Sequence, residues 1–387
     1  MQTPIAITSL SSLSALGSNI VEVWENYQSP HHFFHLKDFG NTIDYVASLS
    51  NEVKAALIDL AESDSRYESL DRSVLMAILT SRKAVQQAGW ETKSDFGINI
   101  GSSRGATFLF ENHYQEFLQT GKAQTLASPS TTLGNISSWV AHDLQSTGPE
   151  LSHSITCSTG LHAVLNGIAW LRAGMSSAFL VGSSEAPLTA FTISQMKSMK
   201  IYASNVETDY PCRAFDLQKT QNSMILGEGA VSMCLELGKK ANALAYITQF
   251  GYATEILQHS VSVSEEAECF KKSMKMALQN IPLEKIDAIV MHAPGTRKGD
   301  SSEYKAIQHI FGKNLPLLTT NKWKLGHTFA SSGLLNMELA LLMMQKNEFI
   351  DTPFGPPQSS TKKIQTVLIN SVGFGGNAVS IVMELNV

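Results

Sequence analysis

Cys157 stands in SHSITCSTGLHAVLNGIAWLRAG, which reads as a strand, a sharp turn at the cysteine and a long helix. A thiol there sits at a helix N-terminus, where unpaired N–H groups and the macrodipole favour the thiolate. The turn also offers a backbone N–H to an oxyanion. A buried structural cysteine fits the same local sequence. A thiolate needs partners that titrate near neutrality, which points to histidine. Two of the eleven histidines follow places where an α/β sheet puts functional side chains. His292 follows DAIVM and opens HAPGTRKGD, and His327 lies in NKWKLGHTFASSG before an apolar helix. His162 and His309 fall on expected helices and read as satisfied or solvated. His31, His32 and His35 cluster with Phe33 and Phe34, but a metal site there wants a further ligand that the neighbourhood lacks. The GFGGN stretch at 373–377 has neither G-x-G-x-x-G nor a P-loop pattern, which excludes nucleotide binding. It suits close backbone approach to a ligand around Gly375, with Phe374 as a movable cover.

The elements that must hold these residues alternate. Strand-like runs at 5–8, 97–101, 152–156, 178–182, 231–237, 245–250, 288–291, 367–370 and 379–385 are separated by helical patterns, the signature of an α/β architecture. Residues 69–88 form an amphipathic pattern with Gly89 at the stop position. Two helices, 159–173 and 334–344, are apolar nearly all round, so each should be buried on every side. One is preceded by Cys157 and the other by His327. This arrangement predicts two similar halves, each a sheet with a central buried helix, spanning 1–240 and 241–387 and joined at GKKAN.

Composition excludes several classes. Among 387 residues, 29 Lys and Arg against 34 Asp and Glu give a net charge of −5, which suits neither a nucleic-acid nor an acidic-membrane partner. Charged residues make up only 16%, which predicts a sizeable subunit interface. Cys157, Cys212, Cys234 and Cys269 have no C-x-x-C spacing, so neither a zinc ribbon nor a disulfide scaffold is expected, and a reducing cytoplasm fits best. The N-terminus lacks a basic segment and a continuous apolar run, and the most apolar helix falls far short of the roughly 20 residues that span a bilayer.

Taken in order along the chain, these motifs resemble those of the β-ketoacyl-(acyl carrier protein) synthases, condensing enzymes with a thiolase-type fold. IAITSLSSLSALG is similar to the family's opening strand and turn, TCSTG to its nucleophile turn, and FDLQKTQNSMILGEGAV to its mid-chain segment. HAPGTRKGD resembles HGTGTxxGD, KWKLGH resembles KxxxxGH, and NSVGFGGNA resembles the closing glycine motif. The resemblance implies a five-layered α-β-α-β-α fold. It implies that Cys157 accepts the acyl group, that His292 and His327 form the histidine pair of the elongating type, and that Lys322 is the active-site lysine. Phe374 matches the gating phenylalanine and Thr296 one of two threonines that hold the phosphopantetheine arm. No metal or other cofactor is implied, because the substrates ride on acyl carrier protein. The implied reaction is decarboxylative condensation with a malonyl unit, in a dimer with an identical chain, a related synthase or a chain-length-determining subunit. Pro294 replaces the second threonine, and Asn336 stands where the family has a glutamate, with Glu338 roughly opposite on the helix. The segment ESDSRYESLD lacks the basic residues that often meet the carrier. These departures point to a specialised pathway, such as bacterial aryl-polyene or polyketide assembly.

Overall fold

A computed structural model describes residues 3–133, 135–204, 208–256, 264–359 and 361–387. In the first part of the chain the strands are β1 (Ile5–Leu13), β2 (His35–Asp38), β3 (Ile43–Ala47), β4 (Gly97–Gly101), β5 (Glu150–Leu151), β6 (Ala178–Glu185), β7 (Leu226–Gly227) and β8 (Gly229–Leu237). In the second they are β9 (Ala245–Thr254), β10 (Ala288–Val290), β11 (Leu317–Thr319), β12 (Thr366–Gly373) and β13 (Asn377–Glu384). Ten of them join in the order β11-β10-β12-β13-β9-β1-β8-β6-β4-β5, while β2, β3 and β7 form a small separate sheet.

The large sheet is a repeat about its middle. From β1 outward the order is β8, β6, β4, β5, and from β9 outward it is β13, β12, β10, β11. In both directions the first two pairings are antiparallel and the last two parallel. The halves meet where Ile5, Ala6 and Ile7 of β1 pair antiparallel with Ile247, Tyr246 and Ala245 of β9.

Side-chain alternation along the strands builds the layers. Phe179 and Val181 of β6 enter the central core while Leu180 faces an outer cluster, and in β12 Val367 and Ile369 face inward while Leu368 faces out. The central core holds two helices, Thr159–Arg172 and Ser332–Lys346. Outside one half-sheet lie Arg72–Ala88 and Asn135–Leu144, and outside the other Glu268–Ala277 and Arg297–Phe311. The result is the expected α-β-α-β-α stack. The Arg72–Ala88 helix begins at Asp71, whose side chain accepts from the N–H of Ser73, and ends at Gly89 with φ 71°.

Two expectations change. No strand forms over 152–156; pairing stops at Leu151, and Thr156 takes a left-handed φ of 48° that no regular strand allows. Residues Ser332–Met344 are all buried, but Thr159–Arg172 leaves Leu165, Asn166 and Trp170 half-buried and Ala169 exposed. His35 meets the Ser48 hydroxyl and His32 accepts from the N–H of Phe34, and among the described residues no three potential ligands converge. No helix among the described residues is long and apolar enough to cross a membrane.

Candidate active site

The turn around Cys157 is fastened by its own hydroxyls. Thr159 Oγ1 donates to the Thr156 carbonyl at 2.6 Å and accepts from the N–H of Ile155 at 2.8 Å, while Ser158 Oγ donates to the Ile155 carbonyl at 3.0 Å. The left-handed Thr156 then hands the chain directly into the buried helix. The end of β12 closes on this turn from the other side. Ser371 Oγ donates to the Cys157 carbonyl at 3.3 Å and Thr156 Oγ1 to the Phe374 carbonyl at 3.4 Å. The backbone N–H groups of Cys157 and Phe374 lie close enough to the cysteine sulfur to favour its thiolate.

Each histidine is held differently. His292 follows β10, and the Glu303 carboxylate accepts its backbone N–H at 3.0 Å and that of Ala293 at 2.8 Å. Its ring Nδ1 is buried without a partner. His327 follows Gly326, whose φ is 74°, and its backbone N–H donates to the Ile225 carbonyl at 2.7 Å. Its Nδ1 accepts the N–H of Phe329 at 3.1 Å and lies 2.9 Å from Ser332 Oγ. A neutral ring that accepts at Nδ1 carries its proton on Nε2. The two rings approach edge to face with centroids 5.3 Å apart. Burial, the Lys322 ammonium and His327 push His292 well below the usual histidine range, and burial and Lys322 do the same to His327. Both rings are therefore neutral at pH 7.

Cys157, His292, His327, Phe329, Pro294 and Phe374 border one cavity of about 190 Å³. Thr296 borders it as well, and its hydroxyl caps the following helix by accepting from the N–H of Gly299 at 3.1 Å. Gly375, with φ 92°, follows Phe374 outside the lining. Lys322 lies fully buried beneath, with its Nζ unpartnered. Asn336 donates to the Met291 carbonyl at 3.0 Å and leaves its Oδ1 unpartnered, while Glu338 points to Ser12 and Tyr27 instead.

The thiol departs from the expected thiolate. Burial and the nearby Glu185 carboxyl push the Cys157 thiol up to about 12, outweighing Lys322 and the two N–H groups. Sequence reasoning missed the buried acids entirely. Glu303 faces Lys322, and the low-dielectric burial that raises the acid also lowers the lysine. Asp300 accepts from Gly295 N–H at 3.0 Å and pairs with Lys219 at 2.5 Å. Glu185 is held up at about 8 by burial. The one signal for Glu303 and Asp300 was position: Asp300 closes HAPGTRKGD and Glu303 lies three residues beyond it, one helical turn on.

Cys157 at the N-terminal end of a central helix, between two half-sheets of matching strand order and beside two neutral histidines, fits the thiolase-like fold of the condensing enzymes. The sequence matches the profile of the β-ketoacyl synthase N-terminal domain over residues 2–241 and that of the C-terminal domain over 244–353, and the chain belongs to the β-ketoacyl synthase family. Curated relatives include 3-oxoacyl-(acyl-carrier-protein) synthase 2 of Staphylococcus aureus (strain COL), 25% identical with 98% of each chain covered. The protein of the same name from Coxiella burnetii is 27% identical, again with 98% of each covered. Among solved structures, a β-ketoacyl synthase from Burkholderia phymatum STM815 aligns at TM-score 0.86 and 20% identity over all of both chains. The ketosynthase ApeO in complex with its chain length factor ApeC from Xenorhabdus doucetiae aligns at TM-score 0.76 and 18% identity, covering 99% and 98%.

Proposed function

We propose that the protein catalyses decarboxylative condensation of an acyl group carried on Cys157 with a malonyl unit on acyl carrier protein, giving a 3-ketoacyl thioester two carbons longer. The observation that carries this reading is the shared cavity in which Cys157 faces two neutral histidines, one of them with its proton fixed on Nε2. In the first half-reaction the Cys157 sulfur attacks the carrier thioester, the thiol proton passes to a neighbouring base and the carrier thiol leaves. The N–H groups of Cys157 and Phe374 receive the developing oxyanion. In the second, malonyl thioester loses CO₂, His292 and His327 donate to the thioester oxygen of the resulting enolate, and its carbon attacks the acyl-enzyme to release Cys157. One such preorganised donor is worth roughly 3–4 kcal/mol of barrier. Lys322 supplies positive charge beneath the pair, and Thr296 and Gly375 lie along the path of the phosphopantetheine arm. No step calls on a metal or a further cofactor.

Acyl carrier protein is the natural partner, and Lys298, exposed where it borders the cavity, and the adjacent exposed Arg297 are its docking residues in this reading. The chain works as a dimer with itself or with a related subunit. The aromatic face of helix Thr107–Thr120, where Phe110, Tyr114 and Phe117 stack in the open, supports such a partner. We assign residues 1–240 to the nucleophile-bearing half and 241–387 to the histidine-bearing half, and four unbridged cysteines fit a cytoplasmic setting. The unpartnered Lys322 Nζ and Asn336 Oδ1 favour one second reading, a non-catalytic subunit that shapes the chain-length tunnel of an active partner.

Intact-mass analysis of wild type and Cys157→Ser with acyl carrier protein substrates decides between them. An acyl adduct on wild type alone, with extended product after malonyl addition, supports the enzyme. Absence of any adduct supports the silent subunit, and free acid without extended product would mean a thioester hydrolase.

A further inference from the structure

Phe329 and Met196, both buried, are part of the lining of the cavity that holds Cys157. Phe329 is buried, with a left-handed φ of 45°, and one side of its ring faces His327 at 5.5 Å between centroids. It also meets the guanidinium of Arg104, whose Cζ lies 5.9 Å from the ring centroid. Arg104 comes from the loop after β4 and donates from Nη2 to Gln195 Oε1 at 2.6 Å, next to Met196 on helix Ala190–Ser198. Its Nε is buried and has no acceptor. Glu185, at the end of β6, is fully buried against the same backbone. One of its oxygens accepts the N–H groups of Ser103 and Ala330, and the other, Oε2, has no partner. Its electrostatic influence reaches Arg104 on one side and Cys157 on the other.

An acyl group on Cys157 that grows past Phe329 and Met196 thus meets an unsatisfied donor and an unsatisfied acceptor where a hydrocarbon tail wants neither. Each buried unpaired polar group costs free energy that an alkyl end cannot return. A hydroxyl donates and accepts, so it can satisfy Arg104 Nε and Glu185 Oε2 whichever protonation state the carboxyl adopts. Met196, with a flexible unbranched side chain, is the part of the wall that yields to admit it. We propose that Arg104 and Glu185 form a polar end to the acyl compartment, which selects acyl groups bearing a hydroxyl at their far end over saturated chains of the same length. This assignment rests on Cys157 being the acyl acceptor.

The test is a competition. Wild type and Arg104→Met are offered equimolar pairs of pantetheine thioesters, alkanoyl and ω-hydroxyalkanoyl, from butanoyl to decanoyl, and the adducts on Cys157 are counted by intact mass. Wild type should favour the hydroxylated member by roughly tenfold or more at the length that reaches Arg104, since a site built to hydrogen-bond a hydroxyl discriminates against its absence. Arg104→Met should bring that ratio to one or below. Equal use of both members by wild type at every length overturns the proposal, as does a variant that keeps the wild-type ratio. If Arg104→Met does not fold by circular dichroism, the wild-type series alone decides. An acetyl thioester is included because it ends before the wall. If it fails to label Cys157 of wild type, the acyl-acceptor reading falls and takes this one with it, whereas acetyl labelling with no hydroxyl preference removes only the polar end.

Discussion

Gly373 closes β12 against the nucleophile turn with no room for a side chain. A Cβ added there would come within 2.1 Å of Thr156 Oγ1 and 2.6 Å of the Ile155 carbonyl oxygen. The hydroxyl can rotate away, but the carbonyl belongs to the turn itself. Restoring an ordinary contact of 3.4 Å needs roughly 0.8 Å of separation between the β12 end and the turn. That movement carries the Phe374 N–H, one of the two beside the cysteine sulfur, away from the oxyanion it would stabilise. Loss of one such donor costs roughly 100- to 1,000-fold, and a displacement near 1 Å is enough to cause it. Gly373→Ala should therefore slow single-turnover acylation of Cys157 by about two orders of magnitude. Overpacking should lower stability by only about 1–3 kcal/mol, leaving a folded protein. Rapid-quench intact-mass measurement with a saturating acyl thioester reads the rate, and a thermal melt checks the fold. A folded Gly373→Ala that acylates within twofold of wild type would refute the role given to the β12 end.

His292→Ala and His327→Ala should each reduce malonyl decarboxylation by roughly 100-fold or more while acylation of Cys157 falls less, read by CO₂ release against adduct mass; loss of acylation alone would reverse the assignment. Because burial holds the Cys157 thiol near 12, its thiolate fraction rises with pH throughout the accessible range. The Cys157-dependent iodoacetamide labelling rate should climb about tenfold per unit from pH 7 to 10, and a plateau near pH 8 would contradict the burial argument. Reversing Arg297 and Lys298 to Glu should weaken carrier-protein affinity more at low salt than at moderate salt; equal affinity at both salts would move docking elsewhere.

The sequence singled out three residues that the structure brings to one cavity, but not the surroundings that tune them. Cys157, His292 and His327 each sit beside a glycine, a strand end or an apolar helix, and such local signals survive in a linear chain. Glu185 carries no such mark, because what gives it meaning is contact with the backbone N–H groups of Ser103 and Ala330, far along the chain. The small β2-β3-β7 sheet went unread for a similar reason, since β7 is two residues long and exists only by pairing with β3. The expected strand over 152–156 failed because the turn into the central helix holds Thr156 in a left-handed conformation. Likewise, an all-apolar pattern in Thr159–Arg172 could not distinguish burial in this chain from a face left for another molecule.

The seam between β1 and β9 sets a schedule for synthesis. β1 leaves the ribosome first, but its two neighbours are β8, ending at Leu237, and β9, beginning at Ala245. Nearly two thirds of the chain must emerge before the first strand acquires either partner, so the native topology has high contact order and a late commitment step. Until then Ile5–Leu13, buried along its whole length in the finished protein, is a strand with both edges open. The nascent chain is accordingly most exposed to aggregation before residue 245 appears, and a chaperone that shields the first dozen residues would act at the point of greatest need.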